Sequence, residues 1–117
     1  MKAAIDKFLP LAPATLHILL SLAGEQMYGY AIMQEVARQS NGRYKLGPGT
    51  LYDNLQRLMR QGLVDEAGGA TRNDGSRRRY YKLTATGRGV LTAEVDRLRG
   101  VVDLANVHLK APHPRRA

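Results

Sequence analysis

A chain of 117 residues that is 44% apolar and 6% aromatic, with no cysteine and a formal charge of +8, has the size of one domain with one modest core. No run reaches the roughly 18 uncharged apolar residues of a membrane-spanning helix, and Met1 to Phe8 builds no apolar leader segment. The lack of thiols removes disulfide scaffolds, thiolate metal sites and cysteine nucleophiles together, so the composition predicts a soluble, cytoplasmic protein without a cofactor.

Pro13 suits the first turn of a helix, and Leu16, Leu19, Leu20 and Ala23 follow at the spacing of an apolar stripe before Gly24 stops it. Ala31, Ile32, Met33, Val36 and Ala37 mark a second amphipathic helix, closed by Ser40-Asn41-Gly42. A third follows the turn Gly47-Pro48-Gly49, with Leu51, Leu55, Leu58 and Met59 on one side and Gly62 as its stop. The pattern predicts three short helices ahead of any strand.

Leu63–Ala67 and Arg79–Leu83 are short strand candidates around a long Gly-rich tip, and Asp74-Gly75 is a hairpin turn signal. From Thr84 to Leu109 the chain reads as one helix in which Leu91, Val95, Leu98, Val102, Ala105 and Leu109 step by four and three, a heptad seam. Roughly 26 residues at about 1.5 Å each reach about 39 Å. That is longer than so small a body covers. An uncovered seam implies a homodimer through this helix, and the alternative is a seam folded back on the chain's own helix at Pro13. The expected division is 1–83 for the helices and hairpin, 84–110 for the dimerisation helix and 111–117 for a disordered tail.

Charge is placed unevenly along these elements. Residues 1–40 carry three basic and three acidic side chains, whereas residues 41–88 carry ten and four. A basic cluster in a small domain is the electrostatic footprint of a polyanion partner.

On a helical wheel with Leu51 at zero, Leu55, Leu58 and Met59 fall within about 80°, while Thr50, Asp53, Gln56, Arg57 and Arg60 fall on the far side and Tyr52 and Asn54 at the flanks. A helix of this width fits the DNA major groove, where Arg pairs with guanine and Asn or Gln with adenine. Gly47-Pro48-Gly49 aims the helix start, with its free N–H groups, at a phosphate. The hairpin tip carries Arg72, Arg77, Arg78 and Arg79, suited to the backbone or minor groove. Helix, helix, recognition-like helix and basic hairpin form the plan of a winged helix-turn-helix: a mainly α fold with a small β-hairpin and a long C-terminal dimerisation helix. The expected DNA-contacting residues are Lys45, Gly49, Thr50, Tyr52, Asn54, Gln56, Arg57, Arg72, Arg77, Arg78 and Arg79.

Four stretches, Tyr28-Gly-Tyr-Ala-Ile32, Gly49-Thr-Leu-Tyr52, Leu58 through Gly62-Leu-Val64, and Arg79-Tyr-Tyr-Lys-Leu-Thr84 with Gly87, make the sequence resemble the PadR family of bacterial transcriptional regulators. The resemblance spans about Leu11 to Leu109. It implies a dimeric winged-helix repressor on a pseudo-palindromic operator in double-stranded DNA, often released by a small-molecule inducer. The single long last helix is similar to the short subgroup, some of whose members stack flat aromatic drugs between tryptophans; this chain has no Trp.

The sequence contains no P-loop, no Ser-His-Asp order and no dinucleotide-binding Gly-rich turn, so no enzyme activity is expected. His17 reads as a satisfied, partly buried side chain, and His108 and His113 lack companions for a metal site. Two other classes stand beside the regulator: an RNA-binding module, which needs no symmetric spacing, and a protein-interaction module, which would carry a neutral helix face.

Overall fold

Proline, not a side-chain cap, starts two of the helices in this chain. The computed structural model describes residues 2–68 and 79–110. After a short α1 (Lys2–Asp6), α2 (Pro13–Gly24) begins with Pro13 in its first turn, and α4 (Pro48–Arg60) begins the same way at Pro48; neither N-cap makes a side-chain hydrogen bond. Proline is pre-set in φ for the first helical turn and lacks only an N–H that has no intrahelical partner there. At the end of α4 the Gly62 and Leu63 amides donate to the Met59 and Leu58 carbonyls at 3.1 and 2.9 Å. This reciprocal cap turns the chain straight into the sheet.

Between α2 and α4 lies α3 (Gly29–Gln39), preceded by a two-residue strand β1 (Met27–Tyr28). The sequence pattern predicted three helices before any strand, and β1 corrects that. So short a strand carries no periodicity of its own. It exists because β3 (Tyr80–Leu83) offers it an edge, pairing Met27 with Tyr81 and Tyr28 with Tyr80. With β2 (Val64–Ala67) on the other side of β3, the result is a three-stranded antiparallel sheet in the order β1-β3-β2. The β2 and β3 strands are those expected of the hairpin; its tip, with Asp74-Gly75, lies outside the described residues.

The core gathers Ile18, Leu19 and Leu22 of α2, Ile32 and Val36 of α3, Leu51, Leu55 and Leu58 of α4, and Leu63, Val64 and Tyr81 from the sheet. Each such aliphatic side chain contributes about 1.5–3 kcal/mol relative to exposure. On α2 the buried face is rotated from the expected stripe, since Ile18 and Leu22 are enclosed while Leu20 is exposed. That helix is apolar almost all round, so its sequence does not choose a face.

The last helix, α5 (Ala85–Lys110), follows β3 directly. Thr84 caps it by accepting the Gly87 amide on its hydroxyl at 2.9 Å, and the same hydroxyl donates to the Gly62 carbonyl at 2.7 Å. Val90 and Leu91 then enter the common core. The 83/84 division therefore falls inside one packed body: the first two turns of α5 complete the core of the preceding residues.

One carboxylate is buried in this joint. Glu94 on α5 is 1% exposed, accepts the Leu11 amide at 3.1 Å and pairs with Arg97 at 2.7 Å. The Arg97 hydrogen bond holds its carboxyl below the ordinary value near 4.5, with the Leu11 amide helping and burial opposing. A carboxyl lowered on folding contributes stability that is present above that value and is lost as pH falls through the folded one. Glu94→Gln should cost about 2 kcal/mol near neutral pH. The gap between variant and parent in urea denaturation should narrow below pH 4.5.

Candidate nucleic-acid interface

The two faces of α4 differ completely. Leu51, Leu55 and Leu58 are buried, while Thr50, Asp53, Gln56, Arg57 and Arg60 are exposed. The first intrahelical bond runs from the Leu51 amide to the Gly47 carbonyl at 3.0 Å. Pro48 has no N–H, so the Gly49 and Thr50 amides stand at the helix start without an intrahelical acceptor. Arg43 and Lys45 are exposed just ahead of them. Backbone donors and the positive end of the helix dipole thus stand at one end of the polar row, and the segment leading into it carries two exposed cations.

Of the residues expected to contact DNA, Lys45, Gly49, Thr50 and Gln56 are exposed on this surface. Tyr52 is placed differently. Its ring lies against the start of α3 so closely that a Cβ added to Gly29 would stand 2.1 Å from the Tyr52 hydroxyl oxygen. The ring also sits 6.4 Å from that of Tyr81. Tyr52 therefore ties α4 to α3 and the sheet, with part of its ring left exposed, and Gly29 is the residue that admits it.

Asn54 and Arg57 are also engaged within the protein. Arg57 Nη2 donates to Asn54 Oδ1 at 2.7 Å and to Thr15 Oγ1 on α2 at 3.0 Å, while Asn54 Nδ2 donates to the Thr50 carbonyl at 2.9 Å. The wheel places Arg57 on the polar side of α4 and Asn54 at its flank, but it cannot know that α2 presents a hydroxyl there. Thr15 had no signal in the sequence.

Arg79 leads into β3 with its side chain 74% exposed and its Nε 3.7 Å from a Glu66 carboxylate oxygen. A long, exposed pair of this kind contributes little and is readily exchanged for another anion. Arg72, Arg77 and Arg78 lie outside the described residues.

The expected seam of α5 divides in two. Leu91 is 6% exposed inside the chain's own core, and Val95 packs against that core from its edge. Leu98 is half-buried. Val102 and Leu109 are 55% and 75% exposed, with Ala105 between them on the same face and Val101, Leu104 and Val107 exposed beside them. The proximal seam is thus used within the chain, and the distal seam is open.

Among the described residues no three His, Cys, Asp or Glu side chains gather as a metal site would require. His17 is half-buried against Gln39, whose Nε2 is 3.0 Å from its Nδ1, and against the Tyr44 ring at 5.2 Å. No described helix is long and apolar enough to cross a membrane.

A helical body, a small sheet with a basic approach to its hairpin, and an exposed polar row on a proline-started helix define a winged helix-turn-helix protein with a long C-terminal helix. The family model described as the transcriptional regulator PadR-like family matches residues 18–93, and the chain belongs to that family of DNA-binding transcriptional regulators. Transcriptional regulator Rv3488 of Mycobacterium tuberculosis is 37% identical over 83 residues, covering 71% of this chain and 73% of that protein. The crystal structure of a PadR family transcription regulator from hypervirulent Clostridium difficile is similar at TM-score 0.70 and 26% identity, covering 84% of this chain and 99% of that one. A PadR-like transcriptional regulator from Bacillus cereus shares the fold at TM-score 0.69 and 21% identity, covering 84% of this chain and 92% of the other.

Proposed function

We propose that the protein is a repressor acting as a homodimer on a pseudo-palindromic operator, with α4 of each protomer in the major groove and the arginines approaching β3 on the flanking backbone. The observation that carries this reading is the exposed row Thr50, Asp53, Gln56 and Arg60 on a helix whose other face is fully buried. Such a row can be pressed into a groove without disturbing the core. The uncapped amides at the start of α4, together with Lys45, suit a phosphate at the groove's edge. The open distal seam of α5 supports pairing of two copies, which a two-fold operator requires.

Release by a small-molecule inducer belongs to the same proposal. The cleft between α1 and α5, about 670 Å³ and lined by Ile5, Asp6, Leu9, Ala93, Asp96 and Arg97, has the size of a small-molecule site. Without tryptophan it would hold its ligand by aliphatic packing and charge.

Two substitutions test the assignment of roles. Gln56→Ala should cost about 1–3 kcal/mol against the preferred duplex and relax base preference at one position of each half-site. Arg79→Ala should weaken every duplex alike and reduce the slope of log affinity against log salt by about one per protomer. Quantitative binding over a series of salt concentrations reads both. Unchanged affinity and slope in the two variants would contradict this placement of DNA.

A further inference from the structure

Thr15 belongs to α2, one helix behind the surface that faces DNA, and it is only 5% exposed. A hydroxyl so enclosed needs partners, and it finds them on the recognition helix. Its Oγ1 accepts one hydrogen of Arg57 Nη2 at 3.0 Å and lies 3.4 Å from Asn54 Oδ1, to which it donates. The other Nη2 hydrogen goes to the same Asn54 oxygen at 2.7 Å, and the Asn54 amide nitrogen is held by the Thr50 carbonyl at 2.9 Å.

This arrangement changes what the two α4 residues can do. A guanidinium offers one hydrogen on Nε and two on each Nη. The fork that grips a carboxylate, or the O6 and N7 atoms of guanine, always uses Nη2, paired with either Nη1 or Nε. With both Nη2 hydrogens turned toward Thr15 and Asn54, no fork is left. Asn54 is likewise committed at both ends of its amide and cannot offer the adenine edge a donor and an acceptor together.

We infer that Thr15 is a positioning residue of the DNA-reading surface: it parks Arg57 so that this arginine meets DNA through Nη1 as a single-point phosphate contact and does not read guanine. Sequence reading then falls to the unparked residues of the row, Gln56 foremost. This inference rests on the proposed placement of α4 against DNA. It adds that a residue with no access to DNA sets part of the sequence preference.

The test is selection of duplexes from a random-sequence pool by the parent protein, Thr15→Val and Thr15→Ser, followed by affinity measurements on the parent's selected duplex. Thr15→Val keeps the shape and removes the hydroxyl; Thr15→Ser keeps the hydroxyl. The valine variant should bind the parent's duplex about tenfold more weakly and should enrich a new guanine in each half-site, because Nη2 regains a free hydrogen. The serine variant should return the parent's preference. Arg57→Ala should cost less in the Thr15→Val background than in the parent, a coupling that simple loss of stability would not produce.

An unchanged consensus for Thr15→Val, with Arg57→Ala equally costly in both backgrounds, would overturn the inference while leaving the regulator reading intact. If the parent enriches no duplex at all, the proposed function fails and takes this inference with it.

Discussion

Gly87→Ala should lower the stability of the protein by about 3 kcal/mol, the upper range for overpacking a close contact. The residue sits in the first turn of α5, where that helix passes the start of β2 and the end of β3. A Cβ there would stand 2.1 Å from the Leu63 carbonyl oxygen and 2.9 Å from Leu83 Cδ1. The nearest atom is backbone, and it is held in place because Leu63 O already accepts the Thr84 amide at 3.1 Å. Nothing flexible can yield, so the helix must lift from the sheet or the Thr84 joint must break. Gly100, also in α5, is the internal control. A Cβ at that position meets nothing within 4 Å, so Gly100→Ala should stabilise by up to about 1 kcal/mol through helix propensity alone. Urea midpoints of the two variants should move in opposite directions. A Gly87→Ala protein with the parent's midpoint would contradict the close crossing of α5 over the sheet.

The second large effect separates the two halves of the α5 seam. Val102 is 55% exposed, so Val102→Glu places a charge where the protomer's own core is untouched. The variant should fold with the parent's urea midpoint when studied at low concentration. Facing a second copy, the same charge would be desolvated, and sedimentation should show monomers. Operator affinity should then fall by about a hundredfold or more, because the two half-sites are no longer engaged together. Leu91→Ala should do the reverse. It removes a buried side chain and should cost the protomer about 2–5 kcal/mol. A Val102→Glu protein that sediments as a dimer would remove the distal seam from the interface.

Much of this fold was legible because proline, glycine and apolar spacing mark the same boundaries. Pro13, Pro48 and Gly62 punctuate α2 and α4, and the Asp74-Gly75 turn signal in a Gly-rich stretch between two short apolar segments marks the hairpin. What was not legible arises from contacts between distant segments. The two-residue β1 is a strand only because β3 is beside it, and α1 is too short to announce itself by periodicity. The buried face of α2 was misjudged because a helix apolar on nearly every side has no preferred stripe.

The candidate site was legible to the same extent. The polar row of α4 follows from the wheel, and Thr50 and Gln56 are exposed where it places them. Asn54, Arg57 and Tyr52 were assigned to DNA by their chemistry. The structure gives them partners at Thr15 and Gly29 that lie more than 20 residues away along the chain. Glu94 shows the same limit. Arg97 three residues later was a visible partner, but the burial that makes the pair matter comes from the segment at Leu11. A side chain's type is local information, and whether it is already engaged is not.

Sequence recognition by this basic winged helix, as distinct from attraction to polyanions in general, underlies the proposed role. It is tested most directly by binding the purified protein to the duplex upstream of its own gene, to a scrambled duplex and to RNA, each at low and at physiological salt. The expected result is a preference of about a thousandfold or more for the upstream duplex that survives physiological salt. Equal affinity for all three, erased together as salt rises, would contradict it and leave a cationic surface without sequence recognition.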